Sequence, residues 1–250
     1  MHSRQVTGGG REPGKMAGLD VEIFQRSTGT PRAAVVLCHG FGAPGDDLVG
    51  LAPVLVDTHP ALSDVRFVFP AAPLSLTQFG WADARAWWMI DMVAVQRLAS
   101  DPDALREFRK LEPEGMAAAR QAVHALVMQV ADTTKLAMSK IVVGGFSQGA
   151  MIATDVALRL EESPAGLVAL SGTLLIEDVW RAKAKARAGL HVFQSHGRQD
   201  PILPFAAAEW LQQLLGEAGM QHEFVPFAGG HTIPPDVLRR LGTFLERRLT

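Results

Sequence analysis

Short apolar runs rich in Val, Ile and Phe recur along the chain at residues 21–24, 33–38, 65–69, 140–144, 166–170, 190–194 and 222–227. The segments between them carry apolar residues at three- and four-residue spacing, as in Leu48, Leu51 and Leu55, or Met116, Ala119, Val123, Leu126 and Val130. The first pattern suits strands buried on both faces, the second the apolar stripe of a helix. Strand alternating with helix requires crossover connections. That predicts an α/β chain with a mostly parallel sheet of about seven strands and helices on both faces.

Element boundaries carry signals of their own. Glu112-Pro113-Glu114 places acids and a proline where a long helix should open, since the first turn tolerates a missing amide and favours negative charge. Pro53 interrupts the first helical pattern, so that helix starts near Leu51 or bends there. The last helix, from Pro234-Pro235-Asp236, aligns Leu238, Leu241, Phe244, Leu245 and Leu249 on one face, with Arg239, Arg240, Arg247 and Arg248 as a solvated face. The basic stretch 181–187 reads as solvated surface in the same way. Residues 1–15 contain three consecutive glycines and no apolar stretch. They are expected to form a flexible tail rather than a signal peptide, leaving one domain from 16 to 250.

Composition narrows the functional classes. The chain of 250 residues is 48% hydrophobic and 20% charged with a net charge of −2, which suits a soluble globular protein. No basic field exists to hold a nucleic-acid backbone. The longest run free of charged side chains, 67–82, is broken by Pro70 and Pro73 and is too short to span a membrane. A single cysteine forms no intramolecular disulfide and no cysteine-based metal site, so a cytoplasmic location is the default. Cys38 reads as a buried structural thiol, and His39 and His196 as hydrogen-bonded structural histidines rather than metal ligands.

The chemistry concentrates in four places. Gly145-Phe146-Ser147-Gln148-Gly149 lies between a β-branched run and a small-residue helical pattern, the arrangement that holds a nucleophilic serine on a tight strand-to-helix turn. An acid and then a histidine should follow, each leaving the C-terminal end of a later strand. Asp200, in the loop after run 190–194, and His231, after run 222–227, meet that demand. Asp155 and Asp178 lie on helical segments, and His222 begins its strand at the opposite end of the sheet. The glycine-punctuated turn His39-Gly40-Phe41-Gly42 follows run 33–38, so the backbone amides of Phe41 and Gln148 are the expected oxyanion donors.

These segments, with His196-Gly197-Arg198-Gln199-Asp200-Pro201 and Gly229-Gly230-His231-Thr232-Ile233-Pro234, resemble the phospholipase/carboxylesterase family of α/β-hydrolases. That family includes small bacterial carboxylesterases and acyl-protein thioesterases, and the resemblance spans roughly residues 33–249. It implies the α/β-hydrolase fold, a Ser147–His231–Asp200 triad, no cofactor or metal, and a small-molecule acyl ester or thioester as substrate. The expected activity is cleavage of carboxylic esters with short to medium acyl chains, with acyl-protein thioesterase or lysophospholipase as alternatives. An exposed apolar rim would favour a lipidated protein, a closed tryptophan-walled pocket small esters. A non-catalytic binding protein of the same fold is the alternative from another class, and a monomer or homodimer is the expected assembly. Segment 73–112 departs from the smallest family members in its length and tryptophan content. Trp81, Trp87, Trp88 and Leu203 are therefore expected in a substrate pocket, with 73–112 as a lid or pocket insertion.

Overall fold

The computed structural model describes residues 10–98 and 100–250. Its strands are β1 (Gly10–Met16), β2 (Leu19–Gln25), β3 (Ala33–Cys38), β4 (Val65–Pro70), β5 (Leu74–Ser75), β6 (Arg85–Ala86), β7 (Ile141–Phe146), β8 (Gly166–Leu170), β9 (His191–Gly197) and β10 (Gln221–Phe227). The α-helices are α1 (Leu51–Thr58), α2 (Met92–Leu98), α3 (Pro102–Phe108), α4 (Met116–Thr134), α5 (Gln148–Arg159), α6 (Glu177–Ala184), α7 (Phe205–Glu217) and α8 (Pro235–Leu249). An eight-stranded sheet runs in the order β1-β2-β4-β3-β7-β8-β9-β10, with β5 and β6 paired separately. From β4 to β10 every neighbouring pair is parallel. The β1–β2 and β2–β4 pairs are antiparallel.

Alternation along the central strands sorts the core into two layers. In β3, Ala34, Val36 and Cys38 face the layer formed with α4, α5, α6 and α7. Ala33, Val35 and Leu37 face the layer formed with α1 and α8. All six β3 residues are buried. A strand covered on both faces has no solvent side to encode, so its sequence is continuously apolar. Cys38 is enclosed in this way, and burial pushes its thiol pKa up. Asp155, fully buried on α5, bonds Arg120 of α4, Arg159 of its own helix at 2.9 Å and the Trp180 indole of α6 at 2.9 Å. That network ties three helices together, and removing one partner of such a buried pair costs about 3–5 kcal/mol.

The seven expected strands are all present, and the sheet has an eighth. Residues 10–15, read from sequence as flexible tail, belong to β1. The Ala17-Gly18 pair joins it to β2 with φ of 50° and 81°, the left-handed geometry of a tight hairpin. Apolar periodicity could not reveal this strand, because its central five residues are solvent-exposed on an edge. Residues 1–9 of the expected tail lie outside the described residues. Two boundaries also differ. Helix α4 begins at Met116 rather than at 112–114, because Pro113 enters a turn in which its carbonyl accepts the Met116 amide at 3.0 Å. Helix α1 begins at Leu51, leaving Pro53 within its first turn, where proline is tolerated. In the basic stretch 181–187, Arg187 is buried and its Nε donates to the Ala157 carbonyl at 3.2 Å. No helix among the described residues is long and apolar enough to cross a membrane.

Candidate active site

Strand β7 delivers Ser147 directly into the start of α5. Ser147 has φ 55° and ψ −120°, a conformation costing a non-glycine residue about 1–3 kcal/mol. The surroundings over-determine it. The Ser147 amide donates to the Leu170 carbonyl at 2.8 Å, and its carbonyl accepts the amides of Ala150 and Met151. A Cβ on Gly149 would lie 2.0 Å from the Cys38 carbonyl oxygen, and one on Gly145 would lie 2.5 Å from that oxygen and from Gly149. The two glycines let β3, β7 and α5 converge. That convergence is what turns the serine out of the sheet.

Asp200 follows β9, and His231 lies beyond β10. The His231 Nδ1–H donates to Asp200 Oδ2 at 2.6 Å, which leaves Nε2 with its lone pair. Asp200 Oδ1 accepts the amides of Ile202 and Leu203, both at 2.9 Å. Burial works against the Asp200 charge, but the His231 hydrogen bond and the two amides outweigh it and hold its pKa below the usual carboxylate value. His196 is fully buried behind this pair. Its Nε2–H donates to the Leu203 carbonyl at 2.8 Å and lies 3.3 Å from Asp200 Oδ2, while burial lowers its pKa and favours the neutral ring. The sequence reading of His196 as structural understates its contact with Asp200. His231 also packs on Phe146, the ring centres 4.8 Å apart. Ser147 and His231 line one cavity, and no hydrogen bond joins their side chains among the described residues.

The turn after β3 faces the same cavity. His39 anchors it: Nδ1–H donates to the Gly40 carbonyl at 2.8 Å, and Nε2 accepts the Ala72 amide at 3.0 Å. Those roles require the neutral ring, which burial favours. Phe41 and Gln148 both line the cavity, and neither backbone amide donates to an acceptor among the described residues. Two free N–H groups beside Ser147, one at the positive end of α5, form a ready anion site. The Gln148 side chain has a separate task. Its Oε1 accepts the Trp87 amide and its Nε2 donates to the Trp88 carbonyl, both at 2.9 Å, which pins the tryptophan segment against the elbow.

The cavity measures about 520 Å³, within the range of small-molecule sites. Trp81, Trp88 and Leu203 line it. Trp87, expected there too, does not. Its ring is buried beneath the site and its Nε1–H donates to the His39 carbonyl at 2.9 Å, supporting the turn from behind. Val95, Phe108 and Leu111 add apolar wall from α2, α3 and the loop beyond, and sequence reasoning did not single them out. One signal was legible: Asp101-Pro102 is a helix start, and the Asp101 carboxylate accepts the amides of Asp103 and Ala104. A second cleft of about 580 Å³ beside β1 and β2 contains none of these groups. Among the described residues no three His, Cys, Asp or Glu side chains cluster as metal ligands would.

A mostly parallel sheet with a serine at a tight strand-to-helix turn, and an acid and a histidine beyond two later strands, defines an α/β-hydrolase. The chain belongs to the phospholipase/carboxylesterase family, whose model matches residues 20–249. It is 30% identical to acyl-protein thioesterase 1 of Saccharomyces cerevisiae over 225 residues, covering 88% of this chain and 94% of that one. Among solved structures, esterase PE8 superposes with a TM-score of 0.77 at 28% identity, covering 92% of this chain and 99% of that one. The Bacillus cereus carboxylesterase shares the fold at a TM-score of 0.65 and 17% identity, over 92% and 94% of the two chains.

Proposed function

We propose that this protein is a serine hydrolase that cleaves carboxylic esters with short to medium acyl chains through an acyl-enzyme. The observation that carries this reading is the meeting of three features at one cavity: Ser147 on its strained turn, the Asp200–His231 pair at 2.6 Å, and the free amides of Phe41 and Gln148. Nε2 of His231 takes the Ser147 proton as Oγ attacks the acyl carbonyl. Asp200 holds the ring in the tautomer this requires and stabilises the imidazolium. The two amides receive the oxyanion, each such donor being worth about 3–4 kcal/mol in the transition state. His231 returns the proton to the departing alcohol, then deprotonates the water that releases the acid.

A second reading, an acyl thioester on a larger lipidated carrier, has one observation in its favour. Trp81, Met89 and Leu111, which line the cavity, are 46%, 46% and 57% exposed, so the apolar rim stands open. A panel of p-nitrophenyl esters of increasing chain length, run beside acyl thioesters, separates the two. Short and medium esters should be turned over best. Efficient turnover confined to long-chain thioesters would replace the first reading by the second. Ser147→Ala should abolish both activities with the circular dichroism spectrum unchanged, and activity retained in that variant would overturn the assigned nucleophile.

A further inference from the structure

The two amides proposed as oxyanion donors come from separate elements, Phe41 from the turn after β3 and Gln148 from the start of α5. The sheet alone does not fix their separation. Its β3–β7 ladder ends at the Cys38–Gly145 pair, three residues before each donor. What spans the gap is the stretch 85–88, which begins with β6.

This stretch grips the turn on both sides of Phe41. After it, the Gly42 amide donates to the Arg85 carbonyl at 2.9 Å, and the Arg85 amide donates to the Ala43 carbonyl at 3.0 Å. Before it, the His39 carbonyl accepts the Trp87 Nε1–H at 2.9 Å. Phe41 itself packs on the small cluster of Leu76, Ala84 and Ala86. The same stretch holds α5: the Trp87 amide donates to Gln148 Oε1 and Gln148 Nε2 donates to the Trp88 carbonyl, both at 2.9 Å. Trp87 thus bonds both donor segments, with its indole to one and its backbone to the other. Trp87, His39 and Gln148 are all buried, so water does not replace a bond lost here.

We infer that Trp87 is a positioning residue for the oxyanion hole: through His39 and the Gln148 side chain it sets the amides of Phe41 and Gln148 at the separation the transition state needs. This rests on the hydrolytic reading above and adds a part that reading does not contain. Both donors survive a change at Trp87, and what is lost is their mutual alignment. Misaligned donors weaken binding of the negative charge that develops on the acyl oxygen, and hardly affect a neutral carbonyl in the ground state.

Trp87→Phe keeps an aromatic ring and the backbone amide, and removes the indole N–H. Two ketones of butyryl shape separate alignment from packing. With 1,1,1-trifluoropentan-2-one a bond forms between Ser147 Oγ and the carbonyl carbon, the hydroxyl proton passes to His231, and the carbonyl electron pair becomes an oxyanion facing the two amides. Pentan-2-one stays a neutral carbonyl. In Trp87→Phe, kcat/KM for p-nitrophenyl butyrate should fall about tenfold and Ki for the trifluoroketone should rise by the same factor, part of the roughly 100–1,000-fold cost of deleting a donor. The pentan-2-one Ki should move less than about twofold. Ki does not depend on how much of a preparation is folded, so a partly unfolded variant still reports. Gln148→Met keeps its amide donor, removes both side-chain bonds and should shift the Ki ratio in the same direction. A Ki ratio unchanged in either variant, whether both ketones weaken together or neither does, overturns this inference and leaves the hydrolytic reading standing. If the wild type does not cleave p-nitrophenyl butyrate, or Ser147→Ala cleaves it equally well, the hydrolytic reading falls and this one with it.

Discussion

A Cβ at position 149 would sit 2.0 Å from the Cys38 carbonyl oxygen, well inside any van der Waals contact and against backbone that cannot swing away. Gly149→Ala should therefore destabilise the protein by about 3 kcal/mol or more, because relief requires β3 and α5 to part. Urea unfolding measures this, and a loss below about 1 kcal/mol would show that the junction is looser than drawn. At this scale the sequence was informative wherever the requirement is local. Glycines flanking Ser147 are needed by the turn itself, so the motif could be read directly. The tryptophans show the opposite case. Trp87 and Trp88 are adjacent, yet only Trp88 lines the cavity: the Trp87 indole is held by the His39 carbonyl, while Gln148 grips both backbones from 60 residues further along the chain.

Strand β1 carries the main lesson at the level of elements. Its polar sequence looks like a tail, but seven residue pairs join it to β2. The sheet ends on strands that each contain a proline, Pro13 in β1 and Pro226 in β10, which blunts both edges against further pairing. Removing residues 1–16 would expose β2, whose Leu19, Val21 and Phe24 are buried and which has no proline. The truncated protein should aggregate at concentrations where the full chain stays dispersed, as light scattering would report. Equal solubility and melting temperature would mean that β1 adds no edge protection. The strands buried on both faces were visible because burial imposes continuous apolarity. An edge strand held by backbone hydrogen bonds leaves no such imprint.

Across the whole molecule, burial lowers the pKa of His39, His196 and His222, so the fold holds these rings neutral while the unfolded chain protonates them. His222 is pushed down to about 4 by burial, which the Gln212 backbone offsets only in part. The sign follows from proton binding. Below the unfolded value of about 6.5 the unfolded state binds more protons, so stability is full above that pH and falls as pH drops towards 4. Asp200 acts in the same direction at lower pH, because its depressed pKa stabilises the fold above the ordinary carboxylate range and that contribution is lost in acid. Between pH 7 and 5, His222 alone should cost up to about 2 kcal/mol. Urea unfolding at the two pH values should show a shallower dependence in His222→Leu, and an unchanged slope would remove His222 from this account.

Taken alone, the chain's sequence determined the mostly parallel core, seven of the sheet's eight strands and the residues proposed for catalysis. Periodicity and turn chemistry act over a few neighbouring residues and leave their mark there. Tertiary structure decided the rest. It sent Trp87 under the site and Trp88 into it, and brought Val95, Phe108 and Leu111 to the cavity that Ser147 lines. Each of those outcomes depends on contacts between segments distant in the chain, where the requirement is met by three-dimensional proximity and no local pattern is needed to record it.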